Sequence, residues 1–221
     1  GRYRLYAVNP KERVVSLDDR LYALLETDAD AARRCTFIEW RRMMLALCRE
    51  EDGLTAEEAR ARFGDMLTRA GIDAQAVVIG QSDLREARAQ LGTSMCEAVY
   101  AARAAKLCGK AALGARELGL YAYLFPMSEN PFVCDRCHRV LSAIREYDAQ
   151  NHTNLEQTAL VYVKENMEIA AAAKALFQHP NTVRYRLSKI QRIMGMEDDP
   201  LFAPMLSLTV SLSRILTEEQ A

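Results

Sequence analysis

The segment His179-Pro-Asn-Thr-Val-Arg-Tyr-Arg-Leu187 is the most informative about the structure of the C-terminal part of this chain. A proline is tolerated in the first turn of a helix, because the N–H that it lacks would have no partner there, so a helix is predicted to begin at Pro180. The preceding stretch, Ile169-Ala-Ala-Ala-Ala-Lys-Ala-Leu176, predicts a helix with few bulky side chains. Ala172 or Ala173 would let the two helices approach closely across the turn Phe177-Gln-His179, so the sequence predicts a helix-turn-helix.

The helix predicted over residues 180–194 has an apolar stripe and polar faces. The stripe recurs at steps of four, three and four through Val183, Leu187, Ile190 and Met194. The polar faces carry side chains that could reach base edges or phosphates in a DNA groove, namely Asn181, Thr182, Arg184, Tyr185, Arg186, Ser188, Lys189 and Arg192. We expect the first three of these to discriminate bases and the four Lys and Arg side chains to anchor phosphates. An alternative is that Asn181 and Thr182 only complete the helix N-terminus.

Charge is distributed unevenly along the chain. Five Lys or Arg and no Asp or Glu lie between Ile169 and Met196, although the formal net charge of the whole chain is -1. An isolated basic helix is usually just solvated surface. Together with the alanine-rich helix and the short turn, however, the local positive charge favours DNA binding. His179, which ends the turn, is interpreted as a helix cap or packing residue rather than a metal ligand.

The C-terminal residues resemble a known family. Leu155-x-x-Thr158, the alanine pair, Leu176-Phe-x-His-x-Asn-Thr-Val-x-Tyr-Arg-Leu187 and then Gly195 and Asp199-Pro200 are similar to the C-terminal helix-turn-helix of PucR/CdaR-type bacterial transcription regulators, over about residues 152 to 216. The family usually has Arg where this chain has Pro180. Since Arg in the first turn is a common reader of guanine, that contact is expected to be absent or supplied by Arg184.

The N-terminal part alternates strand and helix patterns. Alternating apolar residues at Tyr3, Leu5 and Ala7 predict a half-buried strand. Further along, the predicted elements are a helix over residues 16–28 capped by Ser16, strands at 35–40 and 43–48 joined at Arg41-Arg42, a helix after the capping box Thr55-x-x-Glu58, a strand at 76–79, and a helix over 84–106 whose inner stripe includes Leu84 and Ala87. This order predicts an α+β fold with a ferredoxin-like or nucleotidyl-cyclase-like sheet.

The resemblance to PucR/CdaR-type regulators implies a degenerate GGDEF-like domain over about residues 1–125. It also raises the alternative of an enzyme that makes or cleaves cyclic dinucleotides. Such chemistry needs carboxylates for metal ions and glycines near phosphates. The predicted hairpin instead reads Glu39-Trp-Arg-Arg42, and the first strand ends in Asn9-Pro10. We therefore predict that the chain is not an enzyme, and that Glu39 is a solvated hairpin residue.

The region between the two predicted domains is marked by a break in periodicity at Pro126-Met-Ser-Glu-Asn-Pro131. A linker and connecting helix are predicted over residues 126–153, followed by an all-α helix-turn-helix domain over 154–221. Thr153-x-x-Glu156 predicts a capping box for the first helix of that domain. His152, just before it, is interpreted as a cap or surface residue.

Cysteines occur at positions 35, 48, 96, 108, 134 and 137. Their scatter through apolar segments predicts reduced and mostly buried thiols. Cys134-Asp-Arg-Cys137-His138 satisfies the string of covalent c-type haem attachment, and the two cysteines could also serve zinc or redox chemistry. No second cysteine pair completes a zinc site, and Cys137 falls on the apolar face of a predicted helix running to about Gln150. Packing is therefore predicted, with neither metal nor cofactor.

Length and composition are those of a two-domain chain. The chain has 221 residues, of which 50% are hydrophobic, and it contains neither an apolar run of membrane-spanning length nor an export signal. We therefore expect a cytoplasmic protein without a membrane contact. Because the sequence begins abruptly in a strand-like segment after Gly1, we expect an excised fragment of a longer protein.

These patterns converge on a DNA-binding transcription regulator. Since one helix-turn-helix reads few base pairs, a homodimer on two-fold double-stranded DNA is expected. A small-molecule effector acting through an upstream domain is a further expectation. The alternative from another class is a ligand- or protein-binding scaffold that has lost DNA binding, which Pro180 keeps open.

Overall fold

The computed structural model describes residues 1–11, 17–86 and 90–220, the last three of these by their backbone alone. Two compact units make up the chain, Gly1–Ala122 and Tyr123–Ala221. Ser16 and Ala87, for which sequence patterns predicted a cap and a buried helical position, lie outside the described residues. None of the helices in the described ranges combines the length and the apolar character that a bilayer span requires.

The first unit is built on a five-stranded sheet. Its elements are β1 (Tyr3–Pro10), α1 (Asp18–Thr27), α2 (Ala29–Arg34), β2 (Cys35–Trp40), β3 (Met43–Arg49), α3 (Ala56–Arg69), β4 (Val77–Gln81), α4 (Leu91–Leu107) and β5 (Ala112–Gly114). The strand order is β2-β3-β1-β4-β5, with β5 parallel to β4 and the other neighbours antiparallel. The first four strands thus have the ferredoxin-like arrangement, and the predicted α+β fold class is confirmed.

The central strand β1 is more buried than its alternating sequence predicted. All six residues from Tyr3 to Val8 are buried, because both faces of the strand are covered. On one face, Tyr6 and Val8 pack into a core cluster, where the Tyr6 ring stacks on that of Phe63 with 4.0 Å between ring centroids. The residues at alternate positions along the strand point to the opposite face, where α4 packs on β1 and β4. The prediction of a half-buried strand was wrong because the second face is covered by α4, which lies far along the chain and leaves no signal in the local sequence pattern of β1.

The helix α4 begins later than predicted. It starts at Leu91, whereas the periodicity predicted a start at Leu84. The backbone of Arg85 instead pairs with Tyr3, donating its N–H to the Tyr3 carbonyl at 3.0 Å and accepting from the Tyr3 N–H at 2.8 Å. An extended pairing with β1 excludes helical geometry at that point.

The β2–β3 hairpin and the helix α3 match their sequence patterns. The hairpin turns at Arg41-Arg42, and the Arg41 guanidinium lies 4.5 Å from the Trp40 ring centroid. Glu39 is exposed, as expected for a solvated hairpin residue. At the start of α3, the Thr55 side chain accepts from the Glu58 N–H and the Glu58 carboxylate accepts from the Thr55 N–H, so the predicted capping box is present.

The second unit is helical. It contains most of α5 (Tyr121–Ser128), then α6 (Pro131–Asn151), α7 (Leu155–Lys164), α8 (Ile169–Ala175), α9 (Pro180–Met194) and α10 (Phe202–Gln220). Pro126 lies inside α5, so the predicted break in structure comes only after Ser128. Residues 126–153, predicted as a linker and connecting helix, include α6, whose Ile144 is fully buried in the same core cluster as Leu155, Ile190 and Leu206.

Candidate nucleic-acid interface

The turn between α8 and α9 has a defined hydrogen-bond pattern. The Gln178 N–H donates to the Ala173 carbonyl at 2.9 Å, and the Phe177 N–H donates to the Lys174 carbonyl at 3.2 Å. This is the Schellman pattern, with Phe177 in the left-handed region at φ 54°. The pattern ends α8 and redirects the chain into α9.

The N-terminus of α9 is capped by His179. Its Nδ1 accepts from the Asn181 N–H at 3.2 Å, and Pro180 is the first helical residue. Both the cap role of His179 and the helix start at Pro180 are as predicted. His152 likewise lies at a helix end, exposed and left-handed at φ 51° after α6.

The inner side of α9 locks it into the helical core. Val183, Leu187 and Ile190 are buried, and Met194 is partly buried against the same cluster. Ala172 and Ala173 on α8 are buried as well, which allows the close helix crossing that the alanine run predicted. The predicted buried stripe therefore fixes which side of α9 faces away from the core.

The outward side of α9 presents the predicted contact residues. Those exposed are Asn181, Arg184, Tyr185, Ser188 and Arg192, while Thr182 and Lys189 are half-exposed. One guanidinium nitrogen of Arg184 donates to Asn181 Oδ1 at 2.8 Å, so these two side chains lie together. Because the Asn181 side chain is used in this way and His179 caps the helix, Asn181 does not serve as the cap. Lys189 Nζ lies 5.3 Å from the Tyr185 ring centroid.

Arg192 lies at the other end of this outward side. Its Nε is 3.7 Å from the Glu197 carboxylate, and both side chains are mostly exposed. An exposed pair at that distance contributes little free energy and leaves the guanidinium available.

Arg186 is turned toward the protein. Its guanidinium donates to Thr158 Oγ1 on α7 at 3.2 Å, and its charge acts on the Asp148 carboxyl. It is half-buried, in contrast to Arg184 two residues earlier. Arg186 was predicted among the outward side chains because it is basic, although at about 100° per residue it lies close to Val183 and Ile190 of the buried stripe.

Asp148 is a structural residue that the sequence patterns missed. Its carboxylate accepts from the Leu155 N–H at 2.7 Å and from the Glu156 N–H at 3.0 Å, and it therefore caps α7. The predicted capping box at Thr153 and Glu156 was wrong. Thr153 donates its hydroxyl to Asp148 at 2.6 Å, and Glu156 pairs with Arg145 at 2.7 Å. Asp148 precedes Leu155 by seven residues, which places this cap outside any local capping pattern.

The cysteine pair at Cys134 and Cys137 has protein partners. The Cys134 thiol donates to the Ser128 carbonyl at 2.9 Å, and the buried Cys137 thiol donates to the Thr209 carbonyl at 3.4 Å. Burial raises the pKa of the Cys137 thiol. Within the described ranges, no three or more His, Cys, Asp or Glu side chains group as metal ligands would. Only Cys48 and Cys137 are buried, whereas Cys96 and Cys108 are exposed, so the expectation of mostly buried thiols was wrong.

Comparison with known proteins places this helix-turn-helix among those of transcription regulators. Residues 155–208 match the family model of the PucR C-terminal helix-turn-helix domain. These residues are similar to a PucR-type helix-turn-helix domain, and they comprise α7, α8, α9 and the start of α10.

Two curated relatives from Bacillus subtilis (strain 168) share part of the sequence. The DNA-binding transcriptional activator AdeR is 31% identical over 81 residues, which are 37% of this chain and 19% of AdeR. The proline-responsive transcriptional activator PutR is 28% identical over 111 residues, which are 49% of this chain and 27% of PutR. The matched segments thus span less than a third of either relative.

A solved structure, the regulator of polyketide synthase expression from Bifidobacterium adolescentis, aligns with 99% of this chain and 82% of its own. Its sequence identity to this chain is 18%, and the TM-score is 0.42, too low to define a shared arrangement.

Proposed function

We propose that this chain binds operator DNA as a dimer and regulates transcription, with α9 lying in the major groove. The observation that carries the proposal is the outward side of α9, where polar and basic side chains project opposite a buried apolar stripe. A helix of this kind presents its N-terminal residues to base edges and its later basic residues to phosphates.

Asn181 and Arg184 are the proposed base readers. They lie in the first turns of α9, both exposed, and their mutual hydrogen bond holds each side chain near the other in the free protein. An amide pairs well with adenine and a guanidinium with guanine. With Pro180 in the position where the family usually has Arg, Arg184 would supply the guanine contact.

The remaining exposed residues divide by chemistry. Lys189 and Arg192 are proposed to neutralise phosphates, and Tyr185, Ser188 and Thr182 to line the groove. Arg186 has an indirect role in this proposal: its bond to Thr158 joins α9 to α7 and so orients the reading helix.

A dimer is proposed because a single helix-turn-helix contacts a short DNA sequence. One helix-turn-helix contacts only a few base pairs, whereas two copies on a two-fold site read twice as many.

The first unit, over about residues 1–125, would be a GGDEF-like domain without enzymatic activity. Since both curated relatives are longer than their matched segments and PutR is described as proline-responsive, a small-molecule effector is proposed to act through a further segment of the longer protein. Access to chromosomal DNA would place the protein in the cytoplasm.

The test begins with a selection of bound sequences from random DNA, using the full chain. On the selected site, Asn181→Ala and Arg184→Ala should each weaken binding by about 1–3 kcal/mol, or roughly 5- to 150-fold, with little change on random DNA. Arg139→Ala serves as a matched control, because Arg139 lies on α6 and pairs with Asp135 at 2.6 Å. It should leave both affinities unchanged.

Thermal unfolding followed by circular dichroism distinguishes the loss of a base contact from a loss of protein stability. Both α9 variants should melt as the wild type does. Equal losses on selected and random DNA would mean that α9 positions the protein and that sequence is read elsewhere. If no DNA is enriched, the chain is instead a scaffold without DNA binding.

A further inference from the structure

Phe177 combines two features that the fold of its own unit does not require. Its side chain is 94% exposed, and its backbone is left-handed at φ 54°. The left-handed position of a Schellman turn is normally filled by Gly or Asn, because a bulky side chain is strained there. An exposed aromatic ring adds no burial that would offset the strain.

The hydrogen bonds of the turn are made by backbone atoms alone. They run from Phe177 and Gln178 to the carbonyls of Lys174 and Ala173, so glycine at position 177 would form the same turn with less strain. What the phenylalanine adds to the free protein is an apolar surface directed into solvent.

Phe177 lies close along the chain to the proposed DNA-contacting end of α9. Phe177 lies two residues before His179, the cap of α9, and therefore next to the end of α9 that carries Asn181 and Arg184. We infer that Phe177 is a further specificity residue, which packs its ring against the 5-methyl group of a thymine at the edge of the operator sequence contacted by α9. This inference rests on the proposed function.

Thymine methyl groups are the apolar feature of the major groove, and apolar side chains read them by contact. A phenyl ring can therefore select thymine without any hydrogen bond. The free-energy cost of the strained backbone and the exposed ring in the free protein is then offset in the complex, where the ring is buried against the methyl group.

The experiment is a cycle of protein and DNA changes on the selected site. Each thymine in turn is replaced by uracil, which lacks only the 5-methyl group, and affinity is measured for the full-length wild type and for Phe177→Gly. Wild type should lose about threefold or more at one thymine in each half-site, whereas Phe177→Gly should bind the thymine and uracil sites equally. Phe177→Asn, which also suits the left-handed backbone, should behave as Phe177→Gly does.

Unfolding measurements control for the fold. Phe177→Gly should melt at a higher temperature than the wild type, since strain is removed. A lower melting temperature would assign the ring a packing role and overturn the inference. The inference is also overturned if the wild type and Phe177→Gly respond alike to every uracil substitution. It is likewise overturned if Phe177→Gly and Phe177→Asn lose the same affinity on all DNA sequences, as loss of a sugar or phosphate contact would cause.

The proposed function fails in a different way. In that case the wild type selects no sequence, or the Asn181 and Arg184 variants bind the selected site as the wild type does. If those variants lose affinity while Phe177→Gly responds to uracil as the wild type does, only the role of Phe177 is rejected.

Discussion

Asp148 joins the end of α6 to the start of α7 through one carboxylate. It accepts a hydroxyl from Thr153 and the N–H groups of Leu155 and Glu156, at 2.6 to 3.0 Å. Partial burial by itself raises the pKa of this carboxyl, but the hydrogen bonds, together with the charge of Arg186, outweigh burial and hold the pKa below its ordinary value. The charged form is thus the one that the fold stabilises.

A carboxyl whose pKa is lower in the folded state stabilises the fold above its unfolded pKa, and that contribution is lost as the pH falls through the folded pKa. We predict that Asp148→Asn lowers the free energy of unfolding by about 1–2 kcal/mol at pH 7, because the amide offers one acceptor oxygen where the carboxylate uses two and it lacks the negative charge. The difference from the wild type should shrink below about pH 4. Chemical denaturation followed by circular dichroism at several pH values measures both effects.

Asp135→Asn is the control for this prediction. Asp135 lies on α6, and its carboxylate has an exposed ion pair with Arg139. Exposed pairs of this kind contribute little, so the control should unfold nearly as the wild type does. A gap for Asp148→Asn that stays constant down to pH 3 would contradict a role for the charge.

The packing of α4 on the sheet depends on small residues on both sides. The buried side of α4 includes Ala98, Ala101, Ala102 and Ala105. Opposite them, a Cβ atom at Gly80 would overlap the backbone carbonyl of Ala98 and the backbone nitrogen of Ala102. The helix lies so close to β4 that only glycine fits, and neither backbone can give way easily.

We predict that Gly80→Ala lowers the free energy of unfolding by about 1–3 kcal/mol, because added volume in a filled core forces backbone shifts. Gly64→Ala is the matched control. Gly64 lies within α3, and nothing lies within 4 Å of a Cβ built there. That variant should gain about 0.5–1 kcal/mol from the better helix propensity of alanine. Denaturant unfolding of both variants measures the contrast, and equal stability of Gly80→Ala and the wild type would rule out the close packing.

The register of the β2–β3 hairpin places Cys35 directly opposite Cys48. Opposite residues in antiparallel strands have Cα atoms about 4.5 to 5.5 Å apart, which lies within the range that a disulfide spans. Burial and the adjacent Cys35 raise the pKa of the Cys48 thiol, so it holds little thiolate at neutral pH.

We predict that oxidised glutathione slowly links Cys35 to Cys48, oxidising the two thiols and leaving two molecules of reduced glutathione. The reaction should accelerate as the pH rises. Peptide mass spectrometry identifies the bond, and the exposed Cys96 and Cys108 serve as controls that should carry glutathione instead. Stable glutathione adducts on Cys35 without the internal bond would contradict the register, because a shift by one residue turns one thiol to the other side of the sheet.

The assembly on DNA can be tested through its response to salt. Each phosphate contact lowers the slope of log K against log salt by about 0.9. A dimer carries each contact twice, so Lys189→Ala should make the slope shallower by about 1.8, whereas a bound monomer would give about 0.9. Fluorescence anisotropy on the selected site, at several salt concentrations, measures the slope.

Lys110→Ala is the matched control, since Lys110 is an exposed lysine of the first unit. It should leave the slope as it is in the wild type. Unchanged slopes for alanine variants of both Lys189 and Arg192 would exclude phosphate contacts by the outward side of α9.

The sequence alone determined the features that depend on neighbours within a few residues. The start of α9 at Pro180, its buried stripe, the hairpin at Arg41-Arg42 and the cap of α3 by Thr55 all follow from helical or strand periodicity and from local hydrogen bonds. The α+β class and a helix-turn-helix were predictable for the same reason, whereas the PucR type was predicted from a resemblance to that family.

Features that need a partner far along the chain depend on the tertiary structure. Burial of both faces of β1 requires α4, and the late start of α4 results from the pairing of Arg85 with Tyr3. In the candidate interface, the inward turn of Arg186 depends on Thr158, which is 28 residues away. A sequence pattern indicates which side chains share one face of a helix or strand. The free energy of folding also depends on which atoms, from segments far along the chain, cover that face. Those partners exist only once the chain has folded.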